Sequence, residues 1–137
     1  MSLEQQVKQF NNTYKVPMKP YPELPTEDEA TLFTDLVTEE LMEFNEAMDE
    51  GDLTGVADAI ADILYVTAQQ ATKLGFPITA LLREVQRSNM SKLGEDGEPI
   101  FREDGKVLKG PNFSEPDLAS VLAVFCRPAG SKNSFQQ

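Results

Sequence analysis

The segment from residue 53 to residue 74 constrains the fold more than any other part of the chain, because nearly every position in it is apolar or small. A helix that is apolar all round is typical of a protein interior. Two aspartates, Asp58 and Asp62, interrupt this segment at a spacing of four residues, which places both carboxylates on one helix face. Ionised carboxylates in such a place are costly unless they are paired. The sequence therefore predicts a buried helix with an acidic face that needs a counter-ion.

The acidic residues concentrate around this helix. Residues 27–62 hold thirteen Asp and Glu and no Lys or Arg, and no basic residue occurs between positions 20 and 72. Thr26 and Glu29 form a capping-box pattern that predicts a second helix over 27–50. At 100° per residue, Glu40 and Glu43 lie beside or inside the arc of apolar residues on that helix, and Glu39 lies at its margin.

These five carboxylates favour a divalent metal site. The chain has no His, and hard carboxylate oxygens select Mg²⁺ or Mn²⁺ rather than Zn²⁺. Because the carboxylates come from two helices, the cluster can hold two or more ions. The alternative interpretation, a solvated acidic surface, is the commoner one for a glutamate cluster alone, and the two aspartates on an apolar helix weigh against it. We therefore expect the metal ligands to be Glu39, Glu40, Glu43, Asp58 and Asp62.

The remaining pattern predicts an all-α chain. Further helices are expected over residues 3–14, 77–91 and 116–124. Asp104-Gly105 lies between two short apolar runs and predicts a β-hairpin over 98–110 with a type I′ turn. We expect one domain over residues 1–125, followed by a polar flexible tail over 126–137.

Composition limits the possible partners and the cellular compartment. The formal charge of −11 argues against binding to nucleic acid or to an anionic membrane surface. The single Cys126 cannot form an internal disulfide, no apolar run is long enough to span a membrane, and the N-terminus lacks the features of a secretion signal. We expect a cytoplasmic protein.

Half of the basic residues cluster after the acidic helices. Six of the twelve Lys and Arg lie in residues 83–109, so this segment suits the binding of anions. Lysines supply point charges and arginine can clamp two phosphate oxygens at once. A solubilising surface is an equally common role for such residues, and an Asn near a helix end is more often a cap. The candidates for substrate binding are Asn89, Lys92, Arg102, Lys106 and Lys109.

The pattern Glu39-Glu40-Leu41-Met42-Glu43, followed about 15 residues later by an Asp-bearing helix, resembles the MazG-like all-α nucleoside triphosphate pyrophosphohydrolases. These are relatives of phosphoribosyl-ATP pyrophosphohydrolase and of the dimeric dUTPases. Asp62 matches the last acid of the family pattern, but Ala59 stands three residues before it, and the upstream acid is Asp58. The segments 87–92 and 104–112 resemble the phage and bacterial branch, and the resemblance covers about residues 5–122.

The resemblance implies a four-helix bundle completed by oligomerisation, with two dimers forming a tetramer. It also implies metal-dependent hydrolysis of a nucleoside triphosphate between its α and β phosphates. Glu39 and Glu40 would be the catalytic carboxylates, with Glu39 as the base for a water that attacks the α-phosphorus. Phe10 and Asn11 on the first helix would help to hold the base of the nucleotide, although aromatic residues at this spacing can equally belong to the core.

On resemblance alone, the substrate would be a purine deoxynucleotide such as dGTP. A dUTPase or a phosphoribosyl-ATP pyrophosphohydrolase of the same superfamily is an open alternative. A second alternative is a non-catalytic acidic module, for example an interaction protein or a mimic of DNA. Such a mimic would carry its carboxylates on the outside, and the placement of Asp58 and Asp62 on an apolar helix argues against it.

Overall fold

The structure is a computed structural model that describes residues 1–128. This part of the chain forms five helices, in agreement with the predicted all-α class. They are α1 (Leu3–Thr13), α2 (Glu27–Glu50), α3 (Leu53–Lys73), α4 (Ile78–Met90) and α5 (Leu118–Phe125).

Local capping sets the boundaries of α2 and α3. Thr26 accepts the backbone N–H of Glu29, and the Glu29 side chain accepts the N–H of Thr26, which completes the predicted capping box. Gly51 ends α2 in the left-handed conformation with φ 65°, and the Asp52 carboxylate then caps α3 through the N–H of Gly55. Gly75, with φ 88°, follows the end of α3. The predicted helix over residues 27–50 is confirmed.

The chain divides into two compact units. Of the described residues, the first comprises 1–78 and 126–128, and the second comprises Thr79–Phe125. In the first unit, α3 packs against both α1 and α2. Its small core joins Val7, Ala68 and Ile78, with Leu3, Tyr65 and Ala71 packed around them.

The prediction that α3 is buried on nearly every side is wrong for the single chain. Leu53 is 82% exposed, Leu64 59% and Ile60 47%. On α2, Leu41 and Met48 are also about half exposed, although both belong to its apolar stripe. The reason is that α1 and α2 cover only part of the surface of α3. The two long helices of this unit therefore present an apolar face to solvent.

The linker between α1 and α2 is fastened to both long helices. The backbone N–H of Lys19 donates to the carbonyl of Lys73, and the Lys19 ammonium pairs with Glu29 at 2.9 Å. Gly75 permits close approach of the linker, because a Cβ there would lie 2.4 Å from the carbonyl oxygen of Tyr21. The linker is therefore held in place against α2 and the end of α3.

The second unit contains most of α4, a loop segment and α5. The predicted β-hairpin is wrong as a pair of strands, because only one antiparallel bridge, between Phe101 and Val107, joins the two apolar runs. The turn also differs from type I′, which requires two residues with positive φ. Only Gly105 has one here, and its N–H donates to the carbonyl of Arg102, as in a type I turn followed by a bulge.

No helix within residues 1–128 is long and apolar enough to cross a membrane. The tail predicted over residues 126–137 lies outside the described residues from position 129 on.

Candidate metal centre

Three of the five predicted metal ligands come together between α2 and α3. Glu40 and Glu43 lie one turn apart on α2, and Asp62 lies in the middle of α3. Each contributes one carboxylate oxygen to a group in which all three atoms lie within 4.8 Å of one another. This convergence was predictable, because Glu40 and Glu43 lie on the arc of α2 that faces the core and Asp62 interrupts the apolar surface of α3.

Glu40 is the most strongly perturbed carboxylate of the group. Its residue is half-buried, and its Oε2 atom is buried without a hydrogen-bond partner among residues 1–128. Partial burial raises the pKa of Glu40, and the negative charges of Glu43, Asp62 and Asp58 raise it further. The folded protein therefore places a carboxylate where its ionised form lacks a compensating charge.

The donor set of this cluster fits a hard divalent cation. It consists only of carboxylate oxygens, and the unpartnered Oε2 of Glu40 is a free acceptor within it. Within residues 1–128, neither lysine nor arginine forms an ion pair with Glu40, Glu43 or Asp62. A bound cation would supply the positive charge that this site lacks.

The other two predicted ligands lie outside this group. Glu39 and Asp58 are both exposed, and neither joins the three converging oxygens. Asp58 nevertheless lies close enough for its charge to raise the pKa of Glu40. Helical periodicity places both residues on the correct side of their helices, but the side chains do not converge with the other three.

The predicted base-binding residues lie on α1. Phe10 is 37% exposed, and its ring lies 4.6 Å from that of Tyr14 and 5.9 Å from that of Tyr65. Asn11 is fully buried, its Oδ1 accepts from Gln69 at 2.9 Å, and its Nδ2 has no partner. Sequence reasoning missed Tyr65 and Gln69, although an aromatic ring and an amide four residues apart on an apolar helix were a usable signal.

The predicted phosphate-binding residues all lie in the second unit. Arg102 pairs with Asp104, and Lys109 pairs with Glu115 at 3.4 Å. Lys92 is half-buried and Lys106 is exposed, and neither forms an ion pair within the described part of the chain. Asn89 lies exposed in the last turn of α4. Of these four basic residues, two are therefore paired with carboxylates and two form no ion pair within residues 1–128.

A comparison with protein families identifies the family of this chain. The sequence profile of the phosphoribosyl-ATP pyrophosphohydrolase family matches residues 7–89, which include the whole acidic cluster. The chain belongs to the phosphoribosyl-ATP pyrophosphohydrolase family. The match leaves out residues 90–128. Of the five predicted substrate-binding residues of the second unit, it therefore includes Asn89 and leaves out Lys92, Arg102, Lys106 and Lys109.

A crystal structure of a protein from Exiguobacterium sp. 255-15, provisionally described as an NTP pyrophosphohydrolase, resembles this chain. The two share 26% sequence identity with a TM-score of 0.48, and the match covers 90% of this chain and 95% of the other. A comparison with curated proteins gives no match.

Proposed function

We propose that this protein hydrolyses a nucleoside triphosphate to a nucleoside monophosphate and pyrophosphate, with a divalent cation held by Glu40, Glu43 and Asp62. The observation that carries the proposal is the convergence of these three carboxylates within 4.8 Å, in a member of a pyrophosphohydrolase family. The unpartnered Oε2 of Glu40 adds support, because a buried acceptor requires a donor or a cation.

The carboxylates of the chain would have different roles in the reaction. Glu40, Glu43 and Asp62 would hold Mg²⁺ or Mn²⁺, and Asp58 would add negative charge from the next helical turn. When bound, the cation would neutralise phosphate charge and make the phosphoanhydride a better electrophile. Glu39 is exposed and adjacent to Glu40, so its carboxylate is free to accept the proton of the water that attacks the α-phosphorus.

The second unit would supply positive charge to the phosphates. Lys92 and Lys106 are available for this role because they form no ion pair within residues 1–128. Arg102 and Lys109 would have to exchange a carboxylate partner for a phosphate oxygen. Asn89 would donate to the sugar or the base from the end of α4.

The nucleotide base would lie against the aromatic side chains of the first unit. The half-exposed Phe10, together with Tyr14 and Tyr65, offers a stacking surface. Asn11 is fully buried beneath it, and it would reach a base only through a local opening of α1. We infer a purine deoxynucleotide such as dGTP as substrate. The family match favours phosphoribosyl-ATP as the second candidate, and dUTP is a third.

The exposed apolar face of α2 and α3 would be covered by a second copy of the chain. Leu41, Met48, Ile60 and Leu64 all contribute to it, and burying such side chains is the main driving force of association. We propose a dimer of dimers in the cytoplasm, or in the host cytoplasm if the source is a phage.

The test is a panel of NTPs, dNTPs and phosphoribosyl-ATP with Mg²⁺ or Mn²⁺, in which monophosphate and pyrophosphate are separated as products. The proposal expects one substrate to dominate and both products to form in equal amounts. Release of orthophosphate and a diphosphate would contradict it. Absence of turnover with every substrate and both metals would favour the non-catalytic acidic module.

A further inference from the structure

A short segment of the second unit is tied to the C-terminal end of α4. We name this segment, residues Gly110 to Ser114, the strap. At one end, Gly110 donates its backbone N–H to the carbonyl of Lys92 at 2.8 Å. At the other, Ser114 donates its N–H to the Ser91 hydroxyl at 2.9 Å and accepts the Ser88 hydroxyl at 2.8 Å. Ser88 is only 3% exposed, so the strap is anchored on a buried group.

Gly110 makes this close approach possible. A Cβ at this position would lie 2.0 Å from the carbonyl oxygen of Leu93 and 2.8 Å from that of Lys92. Both are backbone atoms at the junction, which cannot move aside like the end of a flexible side chain. Glycine is needed here for lack of space and not for its backbone freedom, because Gly110 does not have a positive φ, unlike Gly97 and Gly105.

The strap fixes the backbone of a lysine that forms no ion pair in the described part of the chain. Lys92 follows the last turn of α4, and its residue is held through the hydrogen bonds of Ser91 on one side and Gly110 on the other. Its ammonium forms no ion pair within residues 1–128, whereas Arg102 and Lys109 are each paired with a carboxylate. Lys109 also lies 4.5 Å above the ring of Phe113.

A half-buried cation on a fixed backbone loses little conformational entropy when an anion binds, and it need not first give up a carboxylate. Lys106 also forms no ion pair within residues 1–128, and its backbone is hydrogen-bonded too, since its carbonyl accepts the N–H of Arg102 and its N–H donates to Asp104 Oδ1, but its residue is exposed. The two lysines therefore differ in burial, because Lys92 is half-buried and Lys106 is exposed to competing water.

We infer that Lys92 is the principal polyphosphate-binding cation of the second unit and that Gly110 is the positioning residue that holds it through the strap. The inference rests on the proposed function, because it takes the polyphosphate to be that of the substrate or of the pyrophosphate product.

The test measures the binding of inorganic pyrophosphate to the full chain by calorimetry in the presence of Mg²⁺. Lys92→Gln should weaken binding by about tenfold, the effect of losing one charge-assisted hydrogen bond. Gly110→Ala should weaken it by a similar factor. The double variant should bind no more weakly than Lys92→Gln alone, because the glycine acts through the lysine. Gly97→Ala is the control for a glycine substitution outside the strap: a Cβ there meets open space, its φ of 77° strains only the local turn, and the variant should bind as the parent chain does.

Several results would overturn the inference: no binding of pyrophosphate to the parent chain, parent-like binding by Gly110→Ala, or additive effects in the double variant. Should Gly110→Ala fail to fold by circular dichroism, Ser91→Ala takes its place in the cycle, because it removes the hydroxyl that accepts the N–H of Ser114 and donates to the carbonyls of Ser88 and Ser114. Pyrophosphate binding is measured without any hydrolysis reaction. Failure of the proposed function appears separately, as absence of nucleotide hydrolysis by the parent chain.

Discussion

Glu40 and Asp62 lie on neighbouring helices with one carboxylate oxygen of each within 4.8 Å of the other, and both oxygens also lie within 4.8 Å of an oxygen of Glu43. Like charges at such a distance repel, and the chain provides no ion pair to offset the repulsion within residues 1–128. The arrangement is therefore unfavourable for the metal-free protein and favourable for one that carries a divalent cation.

The first prediction concerns the metal ligands. Glu43→Gln or Asp62→Asn should lower kcat by at least about 100-fold, because removal of one carboxylate weakens the hold on the cation. Glu46→Gln is the matched control, since Glu46 is an exposed glutamate of α2 outside the cluster, and it should retain activity. Excess EDTA should abolish hydrolysis, and Mg²⁺ or Mn²⁺ should restore it. Full activity in EDTA would rule out the metal assignment.

The second prediction concerns the stability of the metal-free protein. The raised pKa of Glu40 means that its ionised form is disfavoured in the folded state, so this group costs stability increasingly as the pH rises above its ordinary value of 4.5. Glu40→Gln should therefore raise the melting temperature at pH 7 by about 2 °C in EDTA, as loss of a repulsive charge does. Glu46→Gln should leave it unchanged. A lower melting temperature for Glu40→Gln would contradict the repulsion.

Much of this site was predictable from sequence, because helical periodicity places Glu40, Glu43 and Asp62 on the facing sides of two helices joined by a short turn. Periodicity does not specify how close two helices approach or which rotamer a side chain adopts. For that reason it could not separate these residues from Glu39 and Asp58, whose carboxylates do not join the converging group.

Helix ends were predictable at Thr26, Gly51 and Asp52, because capping depends on a few neighbouring residues. Two other features depend on distant partners or on fine geometry. The exposure of Leu64 depends on which elements pack against α3. The turn at Gly105 depends on hydrogen bonds and on the Arg102–Asp104 ion pair, since Asp-Gly suits more than one hairpin turn.

The third prediction distinguishes the roles of Glu39 and Asp58, the two predicted ligands outside the converging group. If Glu39 is the general base, Glu39→Gln should lower kcat by about 10²–10⁴-fold and leave metal affinity unchanged. Asp58→Asn should weaken Mn²⁺ binding modestly, because it removes only a nearby charge, and added metal should compensate. Metal titrations followed by steady-state kinetics distinguish the two outcomes. A kcat for Glu39→Gln equal to that of the parent would exclude it as the base.

The fourth prediction concerns acid stability. The N–H of Thr26 and the Lys19 ammonium lower the pKa of Glu29 from 4.5 to about 2. Its contribution to stability is therefore complete above pH 4.5 and is lost as the pH falls towards 2. Denaturant titrations should show a smaller loss of stability over this range for Glu29→Gln than for the parent. Glu27→Gln, in the same helical turn but outside this network, should keep the parent's pH dependence.

The fifth prediction concerns self-association through the apolar face of α2 and α3. Leu64→Lys should shift the light-scattering mass of the protein from an oligomer to a monomer, because it places a charge in the centre of that face. Leu24→Lys is the matched control, since Leu24 is 92% exposed in the linker, and it should not change the mass. A parent chain that is monomeric at micromolar concentration would contradict the proposal.

The position of bond cleavage tests the central claim most directly. The chain should be incubated with its preferred nucleoside triphosphate and Mg²⁺ in ¹⁸O-labelled water, and the products should be analysed by mass spectrometry. Attack of water on the α-phosphorus predicts one labelled oxygen in the nucleoside monophosphate and none in the pyrophosphate. Label found only in pyrophosphate or in orthophosphate would contradict the account.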